Sequence, residues 1–151
     1  MGVESKSPVS GLSIPVTVEF EDVDSFRIAH HTKLLAYLER ARLRLLMSLG
    51  VDLAGVAPVV YELGVRFRKP ARLLDQLEVE VRVRDVDDYQ VSLGYRIRRD
   101  GATLVTARST IAFADLDEGT LTTMPEELSI ALGGARDTGG PTGRREQRLT
   151  D

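Results

Sequence analysis

The chain has 151 residues, enough for one domain with a substantial core, and 42% of them are hydrophobic and 28% charged, which excludes a disordered chain. A net charge of −3 gives no general case for nucleic-acid binding, and the absence of cysteine excludes disulfides, thiolate chemistry and Cys-based zinc sites. The chain does not open with a secretory signal pattern, and no apolar run reaches the ~20 residues that cross a bilayer. We therefore expect a cytoplasmic protein with no membrane contact.

The first predicted element is a strand near residues 14–20. Residues 1–12 are rich in Ser, Gly and Pro, which predicts a flexible lead-in. Apolar residues then alternate with polar ones, the period of a half-buried strand, at Ile14, Val16, Val18 and Phe20.

A long helix is predicted over about residues 31–49. Its apolar residues recur at helical spacing and form one stripe, which consists of Leu34, Leu35, Leu38, Ala41, Leu45, Leu46 and Leu49. Gly50 follows as expected of a residue that ends a helix. The free N–H groups at a helix N-terminus stabilise negative charge, so the residues just before this helix are candidates for chemistry.

Two carboxylates and both histidines of the protein lie in the loop between the strand and the helix. Asp22 and Asp24 begin this loop, and His30 and His31 end it. Asp24 is a candidate nucleophile or general base, and the alternative is an Asp that only shapes a turn or caps the helix. We expect Asp22 to hydrogen-bond the turn. No HxH or HExxH spacing accompanies the histidines, so no metal site is predicted.

After residue 58 the pattern is that of β-strands joined by short turns. Four strands are predicted near residues 59–68, 77–83, 91–98 and 103–114, and Asp100-Gly101 indicates a hairpin. The order strand, helix and four strands predicts an α+β fold in which one antiparallel sheet wraps around the helix. The sheet's free edge favours a homo-oligomer. We expect the domain to cover residues 13–128, with a flexible tail over residues 129–151.

Three motifs in this order resemble hotdog-fold acyl-CoA thioesterases of the 4-hydroxybenzoyl-CoA thioesterase type. They are the acid pair before a helix carrying Glu39-Arg40-Ala41-Arg42, the segment of residues 65–75 with Pro70-Ala71-Arg72-Leu73-Leu74-Asp75, and Met124-Pro125-Glu126-Glu127-Leu128. Together they span about residues 14–128. The resemblance implies a hotdog fold, with a five-stranded antiparallel sheet around one long central helix, and thioester hydrolysis without a cofactor.

The resemblance also assigns roles within the loop. The family's catalytic carboxylate falls on Asp24, and the residue whose main-chain N–H polarises the thioester carbonyl falls on His31, a position where the family's bacterial branch often has a catalytic histidine. Phe26 and Arg27 stand where the family usually has glycine. Their bulk would narrow the channel to the thioester, so we count both as substrate-binding candidates.

A cluster of four cations lies within seven residues, at Arg66, Arg68, Lys69 and Arg72. Guanidinium groups suit phosphate oxygens, and coenzyme A carries phosphates, so Arg68, Lys69 and Arg72 are candidates for substrate binding. The alternative is a basic strand edge that discourages aggregation.

Our first functional hypothesis is thus a thioesterase for an acyl-CoA or an acyl-carrier-protein substrate, working as a homodimer or homotetramer. A hotdog dehydratase or hydratase is the second. The third is a non-catalytic protein that binds an acyl ligand, which the bulky Phe26 and Arg27 keep open.

Overall fold

A computed structural model describes residues 10–133, so most of the predicted lead-in and all of the tail beyond residue 133 lie outside the described part. The described elements are the strands and helices β1 (Gly11–Thr17), a 3₁₀ turn (Phe20–Asp22), α1 (His31–Ser48), β2 (Val56–Phe67), β3 (Gln76–Val86), β4 (Val91–Arg99), β5 (Ala102–Asp115), β6 (Leu121–Thr122) and α2 (Glu126–Ala131).

One antiparallel sheet contains all the strands, in the order β1-β3-β4-β5-β2. The two-residue β6 pairs with β5 and adds a sixth, short strand to the five that were predicted. Because β2 pairs with β5 only, it forms one edge of the sheet, and β1 forms the other. The predicted α+β architecture, an antiparallel sheet with one long helix, is confirmed.

The core lies between α1 and the sheet. The helix buries five side chains, Leu34, Tyr37, Leu38, Ala41 and Leu45. They meet alternate residues of the central strands, among them Val79, Val81, Leu93, Ile97, Ile111 and Phe113. The predicted helix is confirmed almost to the residue, and Gly50 follows its last turn at φ +63°, a conformation that glycine adopts without strain.

The first strand was predicted too far along the chain. β1 ends at Thr17, and Phe20 is 81% exposed instead of facing the core. The reason is local, because Glu19 and Asp22 form reciprocal side-chain to main-chain hydrogen bonds that turn the chain into the 3₁₀ segment. Val18 stays fully buried and donates its N–H to the Asp75 carbonyl, so the strand's apolar pattern ends there.

The turn between β4 and β5 has the conformation that its two residues favour. Asp100 and Gly101 join β4 to β5 with φ +50° and +81°, the backbone of a two-residue hairpin of type I′. The predicted hairpin is thus confirmed.

After β6 the chain forms the short helix α2, which was not predicted and which extends past the expected boundary at residue 128. It buries Leu128, and Leu132 just after it, against the core. No helix among residues 10–133 is long and apolar enough to span a membrane.

The helix–sheet core yields the first prediction. Leu45→Ala removes a side chain that is fully buried under the sheet, so the free energy of unfolding should fall by about 2–5 kcal/mol. Leu116→Ala is the matched control, because Leu116 is 65% exposed and its loss should change stability by no more than about 0.5 kcal/mol. Urea denaturation of both variants provides the measurement. Equal effects would contradict the placement of α1 in the core.

Candidate functional site

The loop between β1 and α1 is a small hairpin that ends at the helix. Val23 and Ala29 form an isolated antiparallel bridge, and the Asp24 N–H donates to the Ile28 carbonyl at 3.0 Å. Arg27 completes the tip with φ +62° and donates its N–H to the Asp24 carbonyl at 2.9 Å. The main chain therefore holds Asp24 at a fixed point two residues after Asp22.

One oxygen of the Asp24 carboxylate shapes this loop. Its Oδ1 accepts the N–H groups of Phe26 at 2.8 Å and Ile28 at 3.3 Å. Asp24 thus does shape the turn, as the alternative to catalysis supposed, but only its Oδ1 takes part in these contacts. Within residues 10–133, Oδ2 of Asp24 takes part in no hydrogen bond, and the residue is half-buried. A carboxylate held by one oxygen and free at the other can act as a nucleophile or base.

The start of α1 supplies main-chain donors. The carbonyl of His30 accepts the N–H groups of Lys33 and Leu34, and no side chain caps the helix. The N–H groups of His31 and Thr32 come before the first N–H group that has an acceptor within the helix, so they are available to an oxygen from outside it. The structure thus has donors at the position predicted from the sequence.

The His31 imidazole does not form a pair with Asp24. It is exposed and contacts the Phe67 ring at the end of β2, edge to face, with 6.2 Å between ring centroids. The described part of the chain contains no hydrogen bond between this ring and a carboxylate. Within one protomer the His31 imidazole thus contacts the Phe67 ring and no carboxylate, while its main-chain N–H lies at the helix start.

The predicted basic turn lies directly against this loop. Ala29 donates its N–H to the Ala71 carbonyl at 2.8 Å, and Leu73 donates its N–H to the Arg27 carbonyl at 3.1 Å. Ile28 and Arg72 also form a bridge. These contacts join two segments more than 40 residues apart, a juxtaposition that no local pattern could reveal.

The three candidate cations of the turn are exposed and carry no acidic partner within the described residues. Arg68 makes one long contact, from Nε to the Thr106 hydroxyl at 3.4 Å. The turn itself is held by Asp75, which accepts the Arg72 N–H at 2.8 Å and pairs with Arg99. The side chains of Lys69 and Arg72 thus form no ion pair within the described residues, while hydrogen bonds of Asp75 hold the main chain of the turn.

Phe26 and Arg27 lie at the tip of the loop, and both are exposed, Phe26 to 79%. Arg27 adopts a left-handed backbone conformation that glycine adopts at lower cost. The loop therefore has the backbone of a glycine turn but bulky, exposed side chains at its tip.

Asp22 is buried next to the site. Its Oδ2 accepts the Tyr37 hydroxyl at 2.6 Å and the Glu19 N–H at 3.0 Å. Burial raises the pKa of Asp22, but these hydrogen bonds and the charges of Lys33 and Arg40 lower it, and the net pKa lies below the ordinary value of 3.8. The expected turn contact exists, whereas the contact with Tyr37 was missed.

No group of three or more metal-ligating side chains is found within residues 10–133. A shallow cleft lies further along the helix, between α1 and β2. Its lining is mainly apolar and includes Leu43, Leu46, Pro58, Val60 and Ile111. This cleft is a surface on which an acyl chain could lie beside the helix.

Comparison with known proteins agrees with the resemblance noted in the sequence. The model of the thioesterase-like superfamily matches residues 18–132, which include the loop, α1 and the basic turn. The chain is 30% identical over 131 residues to the acyl-CoA thioesterase YbgC of Haemophilus influenzae, an alignment that covers 82% of this chain and 95% of that protein.

Two solved structures share the fold. A hypothetical protein from Thermus thermophilus superposes with a TM-score of 0.75 at 27% identity, over 83% of this chain and 98% of that one. A 1,4-dihydroxy-2-naphthoyl-CoA thioesterase from Synechocystis superposes with a TM-score of 0.74 at 18% identity, over 87% and 99% of the two chains.

Proposed function

The chain belongs to the thioesterase-like superfamily and is a thioester hydrolase, and we propose that it hydrolyses an acyl-CoA with the carboxylate of Asp24 and the main-chain N–H of His31. The observation that carries this proposal is the juxtaposition of a carboxylate with one free oxygen and an uncapped helix N-terminus in a single hairpin. The similarity to an acyl-CoA thioesterase over nearly the whole of that protein supports the choice of substrate class.

In the proposed reaction the thioester carbonyl oxygen accepts the His31 N–H. Negative charge develops on that oxygen as the carbonyl carbon becomes tetrahedral, and fixed donors at a helix N-terminus stabilise this charge. Asp24 then acts in one of two ways. In the first, it attacks the carbonyl carbon, the C–S bond breaks as the coenzyme A thiolate leaves and takes a proton from water, and a second water hydrolyses the acyl anhydride. In the second, it takes a proton from a water that attacks the carbonyl carbon, and the C–S bond breaks as the thiolate leaves with that proton. Both routes release the carboxylic acid and the free thiol of coenzyme A.

Two further sets of side chains are proposed to bind substrate. Arg68, Lys69 and Arg72 are exposed cations without acidic partners, so they are suited to the phosphates of coenzyme A. Phe26 and Arg27 are bulky and follow Asp24 closely in the same loop, so they would narrow the approach to the thioester and favour slender acyl groups near the carbonyl.

The rival functions are less well supported. A dehydratase or hydratase of this fold needs a histidine that works with an acid across the subunit interface, whereas the acid placed just before the helix start in one protomer favours hydrolysis. A non-catalytic acyl-binding protein would not need a carboxylate with a free oxygen at the helix start. A carrier-protein thioester remains the alternative to an acyl-CoA, and it predicts a different dependence on the basic turn.

The proposed assembly is a homodimer formed through the edge strand β2. The other edge, β1, has Pro15 inside its seven residues, and a proline lacks the N–H that pairing needs. The proline of β2, Pro58, lies near the start of that strand, outside the residues 61–67 that would pair around Gly64. In β2, Gly64 has an ordinary φ, and a Cβ added to it would meet no atom within 4 Å. A side chain at position 64 would thus project into open space, so a substitution there leaves the fold of one protomer intact.

Charge supports a specific register for this dimer. An antiparallel pairing of two β2 strands centred on Gly64 sets Glu62 opposite the partner's Arg66, twice by symmetry. It also sets Leu63 opposite the partner's Val65, so apolar residues meet on the helix side of the sheet. A pairing centred on Glu62 would instead bring like charges together.

This register has a consequence for the active site. It sets Phe67 of each protomer opposite the partner's Tyr61, close to the cleft between α1 and β2. Because His31 contacts Phe67, each helix start would lie near the other protomer's cleft. A homotetramer would need a second interface in addition to the one along β2.

The catalytic assignment predicts a strong effect of Asp24→Asn. The amide keeps the size of the side chain but removes its nucleophilicity and basicity, so kcat should fall by about 10²–10⁴-fold with KM little changed. His31→Ala should do less harm, because the main-chain N–H survives. Release of free thiol from a panel of acyl-CoA thioesters measures both. A fully active Asp24→Asn would refute the mechanism, and equal losses would assign the role to the imidazole.

The phosphate assignment predicts an effect on KM. Removing Arg68, Lys69 or Arg72 should raise KM for acyl-CoA more than it lowers kcat, because the contact is made in the ground and transition states alike. The effect should shrink at high salt. Arg44→Ala, which removes an exposed cation on α1, is the matched control and should leave KM unchanged. If no variant changes KM, the basic edge discourages aggregation or the substrate is a carrier protein bound elsewhere.

The dimer predicts a disulfide, and the absence of native cysteine makes the probe specific. Opposite residues in an antiparallel pair lie about 4.5–5.5 Å apart at Cα, within disulfide range, so oxidised Gly64→Cys should migrate as a covalent dimer. Leu63→Cys and Val65→Cys report other registers and should crosslink poorly. Preferential crosslinking of a control would refute the register, and a monomer at micromolar concentration in light scattering would refute the dimer.

A further inference from the structure

Tyr37 carries a polar group on an otherwise apolar helix face. Its neighbours on the buried face of α1 are Leu34, Leu38, Ala41 and Leu45, and the tyrosine itself is only 2% exposed. A phenylalanine ring would fill the same space without a hydroxyl that must find a partner in the core. The hydroxyl therefore needs an explanation beyond packing.

The partner of this hydroxyl is the carboxylate of Asp22, at 2.6 Å. Asp22 does not need the contact to shape its own turn, because its Oδ2 already accepts the Glu19 N–H at 3.0 Å. The Tyr37 hydroxyl reaches it from 15 residues further along the chain, about 9 Å beyond the start of the helix at the rise of an α-helix. The bond thus connects the loop with the body of α1.

Asp22 also contacts the start of the helix through its main chain. Its carbonyl accepts the N–H of His30 at 2.9 Å, one residue before His31. Asp22 is also close to Asp24 in the chain, because only Val23 separates them. The two groups proposed to act on the thioester are therefore both connected to Asp22 by very short paths.

The protonation states favour a strong bond. The lowered pKa of Asp22 keeps its carboxylate charged at neutral pH. Burial and the contact with Asp22 raise the pKa of Tyr37, so the hydroxyl stays a proton donor. Lys33, with Nζ 3.8 Å from Oδ1 of Asp22, adds a second favourable charge. Hydrogen bonds to a charged acceptor are short and about twice as strong as neutral ones.

We propose that Tyr37 and Asp22 are a pair of positioning residues that fix the helix start relative to Asp24. The proposal rests on the function proposed above and adds to it a residue that touches no substrate. With the bond in place, α1 cannot slide or rotate against the loop, so the His31 N–H and the Asp24 carboxylate meet the same carbonyl. A displacement of about 1 Å at a reacting centre can lower a rate by about 10²-fold, so this constraint has a kinetic effect.

The test is Tyr37→Phe, which removes the hydroxyl alone. For the acyl-CoA that the unmodified enzyme hydrolyses fastest, kcat should fall at least about tenfold. KM should stay within about twofold, since the basic turn is unchanged. Tyr95→Phe is the matched control, because its buried hydroxyl shares a hydrogen bond of 2.7 Å with Ser109 on the neighbouring strand and none with the loop or α1. Both variants should lower Tm by a few degrees, on the order of the loss of one buried hydrogen bond.

A second readout reports the position of the helix directly. Amide hydrogen exchange in the segment of residues 22–37 should accelerate in Tyr37→Phe and not in Tyr95→Phe. Equal kcat in the two variants, with equal losses of Tm, would overturn the proposal and leave Tyr37 as a packing residue. If Asp24→Asn abolishes turnover while Tyr37→Phe does not alter it, only the positioning role fails. A fully active Asp24→Asn would refute the proposed function itself.

Discussion

The packing of α1 against the antiparallel sheet is the constraint on which the candidate site depends. A helix N-terminus can polarise a substrate only if the axis of the helix is fixed, and here Leu38, Ala41 and Leu45 are buried beneath the strands to within 2% of full burial. The chain enters this helix through a hairpin that also carries Asp24. Burial of one apolar stripe therefore determines where the main-chain donors at the start of α1 lie.

Main-chain contacts hold the rest of the site in place. The loop before α1 and the basic turn after β2 are joined by N–H groups and carbonyls of Ala29, Ala71, Arg27 and Leu73, none of which depends on side-chain identity. This explains how Phe26 and Arg27 can replace the glycines that the resemblance leads one to expect. Arg27 keeps the positive φ of a glycine turn, and backbone strain at such a position persists only where the surroundings enforce it. The replacement thus changes the side chains at the tip of the loop and preserves the backbone.

The sequence predicted much of the fold because its patterns are local. The 3.6-residue period located α1, alternation located the long strands, and Asp100-Gly101 located a hairpin. The helix stripe nevertheless omitted Tyr37, since a tyrosine with a polar tip does not count as apolar, although its ring is buried. Phe20 was placed in the core because alternation continues through it, but the reciprocal hydrogen bonds of Glu19 and Asp22 end the strand earlier.

The candidate site was only partly accessible to such reasoning. Asp24 and the helix start lie close in sequence, so their proximity followed from the predicted helix boundary. The approach of the basic turn to the loop joins segments far apart in sequence, and the bond between Asp22 and Tyr37 depends on how the helix is rotated about its axis. Neither leaves a periodic signal. The helix α2 was missed for another reason, since six residues are too few to establish a helical period.

The most direct test of the account is a crystal structure of Asp24→Asn with an intact acyl-CoA bound, since the substitution should slow hydrolysis enough to trap the substrate. The account predicts that the thioester carbonyl oxygen lies about 2.7–3.1 Å from the main-chain nitrogen of His31, with the side chain of residue 24 beside the carbonyl carbon. The phosphates should lie on the turn that carries Arg68, Lys69 and Arg72. A thioester bound away from the start of α1 would contradict the account, whatever the position of the nucleotide.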